Sequence, residues 1–136
     1  MMDSATPPRR RALVVEDDSC LSELGAVMLE QFGLSVTQVS SAEDAVDHLR
    51  ACGGDVDIAI IDVNLPGDMD GVALARSIAV LWPGISVIVT SGHPGRRLEH
   101  LPDRAVYVPK PWRALDIVSL AERAARDDHS VHAIRL

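Results

Sequence analysis

At 136 residues, with 47% apolar and 24% charged side chains, the chain fits one globular domain with a real core, and no apolar run approaches the roughly 20 residues that cross a bilayer. A formal net charge of −7 disfavours nucleic acid as a direct partner, and with no long apolar run no membrane is expected either. No apolar stretch follows the basic start, which excludes a signal peptide and leaves a cytoplasmic location as the expectation.

Residues 1–10 carry Pro7, Pro8 and arginines and are expected to form a flexible tail, with Arg9, Arg10 and Arg11 a solvated basic run at its end. A strand is predicted over 12–16. Leu21, Leu24, Met28 and Phe32 then recur at helical spacing as the expected inner stripe of a first helix, capped by Asp18 or Ser19 and stopped by Gly33. After a strand at 35–39, Ser41 and Asp44 form a variant capping box for a second helix, which buries Ala42, Ala45, Val46 and Leu49 and ends at Gly53-Gly54. A third strand, 58–62, precedes a helix over 70–82 with Val72, Ala75, Ile78, Ala79 and Trp82 inward. A fourth strand follows at 86–90. Pro94-Gly95 and Pro102 leave room only for a short or distorted fourth helix, in a segment expected to be mobile. A fifth strand at 105–108 leads to a last helix over 113–126, with Leu115, Ile117, Leu120, Ala121 and Ala124 inward. Residues 127–136 read as a loosely ordered tail. Cys20 and Cys52 have neither metal nor redox spacing and are expected as reduced, partly buried small hydrophobes.

The strands at 12–16, 58–62 and 86–90 are almost continuously apolar, as in strands covered on both faces of a parallel sheet. Alternating strands and helices therefore predict an α/β domain with a five-stranded parallel sheet, either in the flavodoxin-like order 2-1-3-4-5 or as a small Rossmann variant. With the first order, ligands bind beyond the carboxyl ends of strands one and three. The chemistry-bearing residues fall there: Glu16-Asp17-Asp18 after strand one, Asp62 ending strand three, Thr90-Ser91-Gly92 after strand four, and Lys110-Pro111 after strand five. Each alone has a bland explanation as a cap, strand or loop residue; four successive strand ends together do not. Crowded carboxylates repel unless a cation joins them, and Mg²⁺ suits an all-oxygen site that also takes a phosphate. With a cation present, Asp62 can act as the nucleophile toward a phosphoryl group, and Thr90 and Lys110 can donate to the oxygens of the product.

At this point the residues resemble the bacterial two-component response-regulator receiver domain, the CheY-like family, over residues 11–126. The resemblance rests on Leu13-Val14-Val15-Glu16-Asp17-Asp18, Ile61-Asp62-Val63-Asn64-Leu65-Pro66, Met69-Asp70-Gly71, Val89-Thr90-Ser91-Gly92 and Tyr107-Val108-Pro109-Lys110-Pro111. It implies a phosphoacceptor at Asp62, with Mg²⁺ held by Asp17, by Glu16 through water and by the Asn64 backbone carbonyl. It also implies that Thr90 and Lys110 contact the phosphoryl group, that Tyr107 is the switch aromatic, and that the Lys110-Pro111 bond is cis. The implied partners are a sensor histidine kinase or histidine phosphotransferase, a downstream protein target, and a second copy of the chain in a homodimer. Two departures stand out. The loop after Asp62 is one residue longer than the commonest pattern, and the stretch from Thr90 to Lys110 is about two residues shorter.

The expected function is a phosphorylation switch rather than a classical enzyme, acting alone by protein contact. A receiver excised from a hybrid histidine kinase and a phosphate sink are the nearest alternatives. A phosphatase of the haloacid dehalogenase type needs a second Asp two residues after the nucleophile, where this chain has Asn64. A flavin or nucleotide site wants a phosphate loop after strand one, where carboxylates stand instead. A degenerate scaffold is disfavoured by the complete set of acids, Thr90 and Lys110. His93 near the site, and His129 and His132 in the tail, are read as exposed residues, and Trp112 as packing at the base of the last helix.

Overall fold

In a computed structural model, residues 10–92 and 96–126 are described, and they form the doubly wound sheet that the alternation of elements predicts. Five parallel strands run β1 (Arg11–Val15), β2 (Ser35–Val39), β3 (Ile58–Asp62), β4 (Ser86–Ser91) and β5 (Val106–Pro109), in the spatial order β2-β1-β3-β4-β5. Helices α1 (Ser19–Gln31), α2 (Ala42–Cys52), α3 (Gly71–Leu81) and α4 (Ala114–Arg126) connect and cover them. Arg11 belongs to β1 rather than to a tail; its amide donates to Asp57 Oδ2 at 2.8 Å, stitching β1 to the start of β3. The tails expected at 1–9 and 127–136, with His129 and His132, lie outside the described residues, as do His93, Pro94 and Gly95.

Strand parity divides the core. Leu13, Val15, Ala59, Ile61, Val87 and Val89 meet α2 and α3 on one face. Ala12, Val14, Ile58, Ile60, Ile88 and Val108 meet Leu29 of α1 and Ala114 and Ile117 of α4 on the other. Because β1, β3 and β4 are buried on both faces, their sequences are continuously apolar; β2, at the sheet edge, keeps polar residues.

The helix ends follow local chemistry. Asp18 Oδ1 accepts from the amides of Cys20 and Leu21, Ser41 Oγ from Asp44, and Asp70 Oδ1 from Ala73, so each of the first three helices has a side-chain N-cap. Gly33, at φ 90°, turns the chain out of α1 where a side chain would be strained. The expected fourth helix is a short 3-10 turn, Arg96–His100, anchored by Leu98 and Leu101 against the α2/α3 side of the core. Prolines on both sides leave too few residues for a full α-helix.

Three burial expectations are corrected. Leu21, Leu24 and Phe32 are about half exposed and Met28 is half-buried; α1 instead buries Ser22, Gly25, Ala26 and Leu29. Small residues let the α1 backbone approach the sheet, and the larger apolar side chains are left on an outer flank. Leu115 of α4 is likewise exposed, while Ile117 is fully buried; the side chains of Ala121 and Ala124 lie outside the described residues. Cys20 is exposed rather than partly buried, since it stands in the first turn of α1, away from the sheet.

Candidate functional site

The parity that builds the core also aims the site. Glu16 continues the row Ala12, Val14; Asp62 continues Ile58, Ile60; Thr90 follows Ile88; and Lys110 follows Val106, Val108. Each row starts as packing against α1 and α4 and ends, past the carboxyl edge of the sheet, in a polar group. Glu16, Asp62 and Thr90 are buried, whereas Asp17 is exposed.

Carboxylate oxygens of Glu16, Asp17 and Asp62 lie within 4.8 Å of one another. Among the described residues this is the cluster of acids that could hold a metal ion, and its all-oxygen donors suit a hard divalent cation such as Mg²⁺. Lys110 reaches into the same cluster. Its Nζ donates to Glu16 Oε1 at 2.8 Å and to Asp62 Oδ2 at 3.2 Å, so one ammonium offsets part of the crowded negative charge. Burial works to lower the Lys110 pKa, but the hydrogen bond it donates to Glu16 and the charges of Asp62 and Glu16 outweigh it and hold the pKa above its ordinary 10.5. The second oxygens are also engaged: Asn64 N–H donates to Asp62 Oδ1 and Asp18 N–H to Glu16 Oε2, each at 3.2 Å.

Backbone contacts fix these groups. The amide of Val63 donates to Thr90 O at 2.9 Å, and that of Lys110 to Ser91 O at 3.1 Å, tying three strand ends together. Gly71 packs so closely on the Asp62 carbonyl that a Cβ there would collide with backbone, and its amide donates to Val63 O. The Lys110-Pro111 peptide is cis. Tyr107 lies on the opposite parity of β5, half-buried, with its hydroxyl donating to Ser91 O at 3.3 Å. Asn64 is exposed beside Asp62. The candidate residues Glu16, Asp17, Asp62, Asn64, Thr90 and Lys110 are thus brought to one crevice, with Tyr107 one step behind it.

Two features escaped the sequence. A groove of about 540 Å³ runs from Asp62, Thr90 and Lys110 between α1 and Trp112, walled by Leu21, Leu24 and Met28. Trp112 lies against α1, its ring 3.1 Å from where a Gly25 Cβ would stand. The signal was present in the helical stripe of α1, but spacing alone does not say whether a stripe faces the sheet or the solvent. Glu43 also reaches across from α2 to the loop after Asp62, where its Oε2 accepts from Met69 N–H at 3.2 Å.

The response regulator receiver domain family model matches residues 12–122. Over 103 residues the chain is 33% identical to the sensor kinase CckA of Brucella abortus, covering 74% of this chain and 11% of the kinase. It is also 33% identical over 114 residues to the C4-dicarboxylate transport transcriptional regulatory protein DctD of Rhizobium meliloti, covering 82% of this chain and 24% of that protein. The chain therefore spans a minor part of these relatives. Its fold is that of the CheY-like receiver domain from Methanospirillum hungatei, with a TM-score of 0.76 at 24% identity over 90% of this chain and 98% of the other. Among the described residues no helix is long and apolar enough to cross a membrane. Strand order, acidic crevice and sequence agree: the chain belongs to the response regulator receiver domain family of two-component systems, whose members are phosphorylation switches carried on an aspartate.

Proposed function

We propose that Asp62 accepts a phosphoryl group from a phosphohistidine of a sensor histidine kinase or histidine phosphotransferase, in a Mg²⁺-dependent step, and that the product alters the face presented to a protein target. The observation that carries this reading is the meeting of three carboxylates and one ammonium at adjoining strand ends. Asp17, Asp62 and the Asn64 carbonyl would hold Mg²⁺ directly and Glu16 through water. The ion supplies neutralisation of charge between the anionic nucleophile and the incoming phosphoryl oxygens.

Residues 11–126 form the receiver unit in this reading. An Asp62 oxygen attacks phosphorus, a P–N bond of the donor breaks, and the leaving imidazole nitrogen takes a proton. Lys110, already bonded to Asp62, turns its N–H groups to the phosphoryl oxygens, and the Thr90 hydroxyl donates to another. Phosphorylation adds roughly −1.5 to −2 charges, enough to bias Thr90 and Tyr107 between two arrangements. Asn64 stands where a phosphatase would carry a general acid, so hydrolysis of the product is slow. The exposed apolar flank of α1 beside the crevice gives the histidine-bearing donor a surface to rest on. Output passes by protein contact, and a second copy meeting α4 and β5 is one form it can take.

Intact mass spectrometry after incubation with Mg²⁺ and acetyl phosphate tests the chemistry. A single phosphoryl adduct is expected, dependent on Mg²⁺ and missing from Asp62→Ala. An adduct of equal yield in chelator would overturn the metal-assisted step.

A further inference from the structure

The loop that leaves Asp62 has its ends pinned close to the site. Leu65 N–H and Gly71 N–H both donate to Val63 O, at 3.2 and 3.0 Å, and Asn64 N–H donates to Asp62 Oδ1. Its middle, Pro66-Gly67-Asp68, is exposed. Glu43 meets it there. This side chain stands in the first turn of α2, on the other side of the sheet from α1, and its Oε2 accepts from Met69 N–H at 3.2 Å. Gly67, at φ 95°, lies directly beneath the same carboxylate: a Cβ at that position would stand 2.9 Å from Oε1 and 3.2 Å from Oε2. Left-handed glycine and overlying carboxylate fit together as one device. The glycine admits the left-handed turn, and its missing side chain leaves room for Glu43 to reach the Met69 amide.

We propose that Glu43 is a positioning residue for the metal site, holding through the Met69 amide the loop on which Asn64 is carried. The inference rests on the reading that Asp17, Asp62 and the Asn64 carbonyl take Mg²⁺. A ligand on a loop already ordered loses less conformational freedom when the cation arrives, so the tether strengthens binding without touching the ion. Groups behind metal ligands are commonly worth about 10- to 100-fold in affinity; an exposed bond supporting one ligand among several belongs below that range, at about three- to tenfold.

The test is Mn²⁺ titration of the full chain, with free Mn²⁺ read by electron paramagnetic resonance, alongside thermal unfolding in chelator. Glu43→Ala is expected to weaken Mn²⁺ binding about three- to tenfold with its metal-free unfolding midpoint nearly unchanged. Glu43→Gln, whose amide oxygen still accepts from Met69, is expected to bind nearly as wild type. Wild-type affinity in Glu43→Ala overturns the tether and leaves the metal reading standing. So does a loss in Glu43→Gln equal to that in Glu43→Ala, or a lower affinity matched by a general fall in the metal-free midpoint. No Mn²⁺ binding by the wild type overturns the metal reading and the tether with it.

Discussion

Lys110 does two opposed things at the scale of single residues. It relieves repulsion in the resting crevice, with Nζ 2.8 Å from Glu16 and 3.2 Å from Asp62, and it occupies carboxylates that a cation needs. Lys110→Met is therefore expected to tighten divalent-cation binding about three- to tenfold, a discounted share of a unit-charge interaction in a partly solvated site, while phosphoryl uptake falls. Cation titration beside a phosphorylation time course checks both; weaker cation binding in Lys110→Met would contradict the competition. The pH dependence has a definite sign. A lysine pKa raised above 10.5 in the folded chain means that its ion pairs stabilise fully below the unfolded value. That stability is lost as pH rises through the folded value, so urea midpoints of wild type and Lys110→Met should converge only at pH above 10.5. Glu16, Asp62, Thr90 and Lys110 were legible in the sequence because each ends a recognisable strand, and strand parity carries the last apolar residue's direction to the next residue but one. Glu43 was not legible, because its partner, the Met69 amide, is 26 positions away and lies in a loop.

At the scale of elements, α1 is where periodicity and burial part. Leu21, Leu24, Met28 and Phe32 have the spacing of an inner stripe, yet Gly25, Ala26 and Leu29 face the sheet. A helix with apolar residues on two flanks gives one clear periodic signal, and the larger side chains dominate it although the smaller ones pack closest. The consequence is testable by a pair of substitutions. Leu29→Ala, at a fully buried position, is expected to cost about 3 kcal/mol of stability. Leu24→Ser, at a position 56% exposed, is expected to stay within about 0.5 kcal/mol of wild type. If the α1 flank seats the phosphodonor, Leu24→Ser slows phosphorylation by a protein histidine donor and leaves acetyl phosphate uptake unchanged. Equal slowing with both donors would place the defect in the crevice instead. The turn at Arg96–His100 shows a different kind of legibility: flanking prolines announced that a full helix would not fit, but not that Leu98 and Leu101 would anchor what remains.

For the whole molecule, sheet order follows from a few physical regularities. Three doubly buried strands had to be central, right-handed crossovers had to place helices on both faces, and the acids at the ends of β1 and β3 had to meet where strand order reverses. The observed order β2-β1-β3-β4-β5 meets all three conditions and selects the flavodoxin-like order over the Rossmann variant. Within the acidic cluster Asp62 is buried, ion-paired and bonded to Asn64, whereas Asp17 beside it is exposed. The measurement that tests the account most directly is borohydride reduction of the phosphorylated chain, followed by peptide mass mapping. Borohydride converts an aspartyl phosphate to homoserine and leaves free carboxylates untouched. Homoserine at position 62 alone is the expected result; homoserine at Asp17 or at any other aspartate, with Asp62 intact, would contradict it.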